Sequence, residues 1–161
     1  MRNKRSIQNI ISIICLFFFI VTAAPSFGAD NPLKPKVKKS VDNAMKWLRA
    51  SQQKNGSWSD NVGVTSLVTI AYMKSHRGYN EDDDPFVRDG IGFILSNVRE
   101  DGSIYKDPPS SYNTMLALLA LENTKNPKYK DIIKKAQDYL VRIQSDEEEG
   151  YKPSDKYYGG I

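Results

Sequence analysis

An internal repeat of 46 residues constrains this chain more than any other feature. Three aromatic residues, each followed by an aliphatic residue, recur at that spacing: Trp47, Phe93 and Tyr139. Small residues follow the same period at Ala44, Gly90 and Ala136. Turn glycines follow it at Gly56 and Gly102, and a third, Gly150, comes two positions later than the period predicts. A fixed period of this length is typical of chains built from one stacked supersecondary unit.

Each unit has the pattern of two α-helices joined by a turn, so the sequence predicts an all-α fold. Apolar residues from Val37 to Leu48 follow the 3.6-residue period of an amphipathic helix, which we expect to end near Gln53. Pro85 suits a first helical turn, because its missing N–H would have no helical partner there. The remaining predicted helices are Val62–Lys74, Asp84–Val98, Tyr112–Glu122 with Ser111 as its cap, and Lys130–Ile143.

The two kinds of helix differ in polarity, and this difference predicts two layers. The first helix of each unit carries charged residues, such as Lys46 and Arg88, on a face that should meet solvent. The second helix is nearly apolar, and Met115–Leu121 contains no polar residue. A helix that is apolar on every side is expected to be buried on every side. The pattern predicts an inner layer of apolar helices wrapped by an outer layer, as in an α/α solenoid or a closed toroid.

The end of the first helix carries the motif Trp47-Leu48, Gln52, Gly56 and Trp58. It resembles the QW repeat of squalene and oxidosqualene cyclases, within the prenyltransferase and squalene-oxidase repeat group. The resemblance covers residues 37–161 and implies α/α-hairpin repeats of an α/α toroid. With three outer and two inner helices, the chain predicts only a partial toroid, so we expect a fragment, a truncation, or a short member that binds a partner.

The other units depart from this motif: Val98 and Ile104 replace the Gln and the Trp in the second, and Gln144 is retained in the third. The motif residues have a structural interpretation that needs no family. The Gln52 amide can bond across the turn in a helix end that lacks partners, and Gly56 can supply a positive φ. Gln52, Gly56 and Trp58 are therefore expected to form a staple between repeats, which makes them structural residues.

The acidic run Glu81–Asp84 is the nearest match to the D-x-D-D motif with which the cyclases protonate an alkene. Its first position is Glu, and the run precedes Pro85. A solvated loop at a helix N-terminus explains four acids without any site, and a cation site or a catalytic acid are the alternatives. If the loop is solvated, Glu81→Gln should change stability by less than about 0.5 kcal/mol.

The first 28 residues have the layout of a secretory signal peptide. Arg2, Lys4 and Arg5 precede the apolar run Ile10–Val21, and small residues follow up to Gly28. The run is shorter than the roughly 20 residues that span a bilayer, so no transmembrane segment is expected after cleavage. We expect residues 29–36 to be a linker and the mature protein to be periplasmic or secreted.

Charge and the rare residue types exclude several function classes. Removal of residues 1–28 leaves 20 Lys and Arg against 19 Asp and Glu, which gives no support for nucleic-acid binding. Cys15 is the only cysteine and lies in the signal, so thiolate zinc sites and cysteine nucleophiles are excluded. His76 is the only histidine and is interpreted as a surface residue at a helix C-terminus. The sequence thus predicts no catalytic, cofactor-binding or metal-binding residue and no cofactor.

Two functions remain from these observations. We favour a non-catalytic binding or scaffold module, or part of a larger toroid protein, because no catalytic motif is evident and aromatic residues are frequent. The alternative is a terpene-cyclase-like enzyme for an apolar polyprenyl substrate, with catalytic residues beyond Ile161. A carbohydrate-active toroid such as a polysaccharide lyase would explain export and the tyrosines, but no suitable pair of acids with a basic residue is found. An apolar or carbohydrate ligand in the cavity, and self-association through the open repeat end, are the expected partners.

Overall fold

The computed structural model describes residues 33–161, and the residues from Val37 to Ile161 form one compact unit. The predicted signal peptide, its cleavage site and Cys15 lie outside the described residues. The helices are α1 (Leu33–Ala50), α2 (Val62–Lys74), α3 (Pro85–Ser96), α4 (Ser110–Thr124) and α5 (Lys130–Arg142), with a 3₁₀ turn at Pro127–Tyr129 before α5. Residues 33–161 contain no strand, only an isolated bridge between Val98 and Ile104. The all-α prediction is confirmed.

The helix bounds follow from local chemistry and differ from prediction at several ends. Helix α1 begins at Leu33, inside the predicted linker 29–36, and α3 and α4 end at Ser96 and Thr124 instead of Val98 and Glu122. Helix α3 begins at Pro85 as expected, and the side chain of Asn61 caps α2 by accepting a hydrogen bond from the Val64 N–H at 2.9 Å. Helix α1 ends at Ala50, before the expected Gln53. Helix α4 begins at Ser110, so Ser111 lies inside the helix and is not its cap.

Helices α2 and α4 pack against each other most extensively, with α3 on α2 and α5 on α4. The largest fully buried side chains come from both kinds of helix and from the turns between them, and include Tyr72, Ile91, Ile94, Ile104 and Leu121. No described helix between residues 33 and 161 combines the length and apolar character needed to cross a membrane.

Several hydrogen bonds of the turn after the first outer helix recur in the second unit. The Ser57 N–H and hydroxyl both donate to the Asn55 side chain, at 3.1 and 2.7 Å. The Ser103 N–H and hydroxyl donate in the same way to Asp101, at 3.0 and 2.6 Å. The glycine between them has a φ of +84° at Gly56 and +89° at Gly102, a conformation that suits glycine.

These turns place the backbone of one unit against the outer helix of the next. A Cβ added to Gly56 would lie 2.2 Å from the carbonyl oxygen of Asp89, and one added to Gly102 would lie 2.3 Å from that of Lys135. Asp89 and Lys135 are themselves 46 positions apart. Glycine is therefore required both for its φ and for this close approach.

The expected staple at the first turn is confirmed. The Gln52 Nε2 donates to the Gly56 carbonyl at 2.9 Å and to the Phe86 carbonyl at 2.8 Å, so it joins the turn to α3 of the following unit. Trp58 is buried, and its Nε1 donates to the Leu48 carbonyl at 2.7 Å. Each of these bonds satisfies a backbone carbonyl, which is a structural role.

The prediction that the apolar helices are buried on every side is wrong. In α2, Thr65, Ser66 and Thr69 are fully buried, whereas Val64 and Leu67 are exposed. The Ser66 and Thr69 hydroxyls donate to carbonyls one turn earlier in α2, at 2.8 and 2.7 Å. A hydroxyl satisfied by its own helix can be buried at little cost, so small polar side chains line the helix contacts. Helix α4 likewise exposes apolar side chains: Tyr112, Met115 and Leu119.

The repeated aromatic position does not have one environment. Phe93 and Tyr139 are buried, but Trp47 is 69% exposed. The small-residue positions show the same difference, because Gly90 and Ala136 are buried and Ala44 is exposed. In the second unit this face contacts the first, since a Cβ on Gly90 would lie 2.8 Å from the Thr69 hydroxyl of α2. The matching face of the first unit is uncovered within residues 33–161.

Candidate binding site

A cleft of about 600 Å³ lies between α1, the end of α2 and the loop that leads into α3. We call it the aromatic cleft. Three aromatic side chains form its floor, and charged side chains form its walls. Its lining consists of Asp42, Met45, Lys46, Arg49, Tyr72, Arg77, Gly78, Tyr79, Asn80, Asp83, Asp84 and Phe86.

The floor is a packed aromatic cluster. Tyr72 on α2 lies 4.6 Å from Phe86 and 5.4 Å from Tyr79, measured between ring centroids, and Tyr79 lies 5.3 Å from Phe86. Tyr72 and Phe86 are buried, and Tyr79 is half-buried. The Tyr72 hydroxyl donates to the Met45 carbonyl at 2.6 Å. Burial raises the pKa of Tyr72 to about 12, so this hydroxyl keeps its proton at neutral pH.

The wall formed by α1 carries Asp42, Lys46 and Arg49 on one helical face, because positions i, i+4 and i+7 share a face. The Arg49 guanidinium carbon lies 4.6 Å from the centroid of the Phe86 ring, which is cation–π geometry. Arg77 holds Asp42 by two hydrogen bonds, from Nε at 3.0 Å and from Nη2 at 2.7 Å. Hydrogen bonding from Arg77 lowers the pKa of Asp42 below its ordinary value.

The opposite wall is organised by Asn80. Its Oδ1 accepts from the N–H groups of Asp82 and Asp83, at 2.9 and 3.0 Å. Its Nδ2 donates to the Asp83 carboxylate at 2.9 Å, and its N–H donates to the Asp84 carboxylate at 2.9 Å. The two carboxylates, which both line the cleft, are thus fixed in place by one residue.

The acidic run has two environments, and its interpretation as a wholly solvated loop is wrong. Glu81 is buried, and its two carboxylate oxygens accept from Asn126 Nδ2 at 2.7 Å and Tyr129 Oη at 2.6 Å. Asp82 and Asp83 are exposed as expected. In the described part of the chain no group of three His, Cys, Asp or Glu side chains could hold a metal ion, so the cation-site alternative gains no support there.

His76 lies beyond the C-terminus of α2. Its Nε2 is 3.2 Å from Asp42 Oδ1, so it faces a carboxylate of α1 at the rim of the cleft. Together with Arg77 it fixes Asp42 from the loop side. His76 therefore follows the end of α2 as predicted, but its contact is with a carboxylate of α1 and not with the carbonyl end of its own helix.

Of the residues that line the cleft, only Asp83 and Asp84 belong to a candidate site proposed from the sequence, although a further signal was present. At the 46-residue offset, Lys46 and Arg49 correspond to Gly92 and Leu95, and Phe86 corresponds to Ile132. Leu95 and Ile132 pack against the hydrophobic core. The charged and aromatic lining is therefore a departure of the first unit from its own repeat.

Comparison of the chain with models of protein families, with curated proteins and with solved structures finds no match.

Proposed function

We propose that this chain is an exported α/α-hairpin repeat protein, similar in architecture to the squalene cyclases, that binds a ligand in the aromatic cleft without converting it. We also propose that the helical hairpins are arranged as a partial toroid. Its support is the pairing of α2 with α4, the outer positions of α3 and α5, and the turns that recur at the 46-residue spacing.

The bonding state of the ionisable groups in the cleft carries the proposal. An acid that protonates a substrate needs a raised pKa and a free proton. The pKa of Asp42 is lowered instead, because Arg77 donates to its carboxylate. The Tyr72 hydroxyl already donates its proton to the Met45 carbonyl. Fixed charges beside an aromatic floor suit recognition better than proton transfer.

The test separates binding from turnover. Purified protein is titrated calorimetrically with trigalacturonate, xylotriose and farnesol, and each probe is then recovered and weighed by mass spectrometry. We expect binding of at least one probe, recovered unchanged, and loss of that binding in Tyr79→Ala. The matched control Tyr112→Ala removes a tyrosine that is exposed on α4, outside the cleft, and should bind normally. Conversion of any probe, or no binding by all three, would contradict the proposal.

Export is tested on the secreted protein itself. A mass that begins at Ala29 is expected, because Ser26 and Gly28 place small residues at the −3 and −1 positions of the cleavage site. An intact Met1 in the exported protein would contradict this part of the proposal.

A second candidate, a terpene-cyclase-like enzyme, is favoured by the apolar surface on the inner helices. Several apolar side chains of α2 and α4 are at least 36% exposed: Val64, Leu67, Tyr112, Met115 and Leu119. Exposed apolar surface of sufficient extent marks sites for apolar ligands or partners. Turnover of squalene or farnesol would support this candidate. Self-association through the same surface would appear as a mass above that of the monomer in light scattering, and Leu119→Glu should then restore the monomer.

A further inference from the structure

We propose that the ligand of the aromatic cleft is an acidic saccharide, that is, a sugar ring that carries a carboxylate. This inference rests on the binding function proposed above and specifies its ligand. It depends on three properties of the cleft: a charged lining that departs from the repeat, two walls of opposite charge, and a half-buried aromatic ring between them.

The first property follows from comparison of the units within the chain. Leu95 and Ile132 show that aliphatic side chains can fill the corresponding space in the second unit, where they pack on the core. In the first unit Arg49 and Phe86 occupy those positions, and a cleft of about 600 Å³ remains. Phe86 is itself part of the hydrophobic core, but Arg49 is exposed, so packing alone does not call for a charged residue at that position. The volume falls within the range of about 300–1,000 Å³ typical of small-ligand sites.

The second property is the separation of charge across the cleft. Lys46 and Arg49 stand one turn apart on α1, and within the described residues neither forms an ion pair. Two exposed cations whose donors are not engaged in an ion pair are suited to a carboxylate. Asp42 on the same face is paired with Arg77, which weakens its hold on Lys46.

The opposite wall selects among anions. The carboxylates of Asp83 and Asp84 are fixed by Asn80. An ionised carboxylate accepts hydrogen bonds but cannot donate one, so this wall favours ligand groups that donate. Sugar hydroxyls supply such donors, whereas an acidic peptide or an inorganic anion would bring further negative charge to this wall. An apolar polyprenyl chain would leave both charged walls desolvated without partners, which is costly.

The third property is the position of Tyr79. It is half-buried between the two walls, and its ring contacts Tyr72 and Phe86. An aromatic face with its partial negative charge attracts the polarised C–H groups of a sugar ring. One saccharide unit can thus present its carboxylate to α1, its hydroxyls to Asp83 and its C–H face to Tyr79.

The experiment compares trigalacturonate with its fully methylated ester, which keeps the sugar and removes the charge. We expect calorimetric binding of trigalacturonate that weakens at least tenfold for the ester and also weakens with added NaCl. The double variant Lys46→Gln/Arg49→Gln should lose at least tenfold in affinity for the acid and little for the ester. Arg88→Gln on α3, an exposed cation outside the cleft, is the control and should bind within twofold of the parent protein. Unchanged circular dichroism and melting temperature establish that each variant is folded.

Each other outcome overturns the inference in a distinct way. Equal affinity for trigalacturonate and its ester, or for trigalacturonate and xylotriose, would show that saccharide binding does not depend on the carboxylate. The proposed binding function would then stand and the inference would not. Equal affinity for hexaglutamate would show a general anion site. Failure of every probe to bind would contradict the binding function together with the inference.

Discussion

Replacement of Glu81 by Gln tests whether a carboxylate in an acidic loop is structural. The side chain is 7% exposed, and it joins the loop before α3 to Asn126 and Tyr129 in the loop before α5. Gln keeps the size of Glu but replaces one acceptor oxygen by a donor. The Asn126 Nδ2 then faces another NH₂ group, while its Oδ1 is already engaged by the Lys128 N–H at 3.1 Å, so a flip of Asn126 would break that bond.

The magnitude follows from these contacts. A buried donor left without an acceptor costs about 1–3 kcal/mol. The bond from the Tyr129 hydroxyl survives, but loss of the charge makes it roughly half as strong. We therefore expect Glu81→Gln to lower the free energy of unfolding by about 1.5–3 kcal/mol, well above the 0.5 kcal/mol expected for a solvated loop.

Urea denaturation followed by circular dichroism measures the effect as a lower midpoint at an unchanged slope. Asp82→Asn is the matched control, since Asp82 is the exposed neighbour in the same acidic run, and it should change stability by less than about 0.5 kcal/mol. A double-mutant cycle with Tyr129→Phe should give a coupling energy of about 0.5–3 kcal/mol. Equal midpoints for Glu81→Gln and Asp82→Asn would refute the structural assignment.

Three further outcomes are expected. Trp58→Ala should destabilise the protein by about 3–5 kcal/mol because the ring is buried, whereas the exposed Trp47→Ala should cost less than about 1 kcal/mol; similar urea midpoints would contradict this. Gly56→Ala should destabilise the protein by more than about 1 kcal/mol, because the new side chain meets both a positive φ and a clash with the next unit. The control is Gly78→Ala, which has a positive φ but open space around it and should cost less. The reverse order of melting temperatures would refute the stacking contact. Burial raises the pKa of Tyr72 from 10.0 to about 12, so the unfolded chain loses this proton first and the free energy of unfolding should fall as the pH rises from 10 to about 12. Tyr72→Phe should make that fall shallower. An identical alkaline stability profile would contradict the assigned pKa.

Local sequence patterns predicted the helices and the staple because both depend on neighbouring residues. Apolar periodicity placed Val62–Lys74 correctly, and the spacing of Gln52 and Gly56 anticipated their hydrogen bond. Features that depend on distant residues were missed. Glu81 looks like its acidic neighbours, and only the fold brings Tyr129 to it across 48 positions.

The inner helices show a second limit of sequence reasoning. Hydrophobicity alone places Val64 and Leu67 inside and Thr65 outside, yet the structure has the opposite arrangement. Helix contacts favour small side chains whose hydroxyls are satisfied by their own backbone, and no apolar periodicity reports this. The aromatic cleft was not predicted as a site. Its charged lining can be recognised in the sequence only when Arg49 is compared with Leu95, the residue at the same position of the next unit.

The contact between each turn glycine and the following outer helix has an evolutionary consequence. The atoms that meet Gly56 and Gly102 are main-chain carbonyls, one belonging to an acidic residue, Asp89, and the other to a basic residue, Lys135. A main-chain carbonyl is supplied by every amino acid, so selection on this contact leaves the identity of the outer residue free. Duplicated units can therefore diverge over most of their outer surface while they keep the same stacking geometry. One unit is then free to acquire charged side chains, such as Arg49, where the next unit has an aliphatic residue, Leu95.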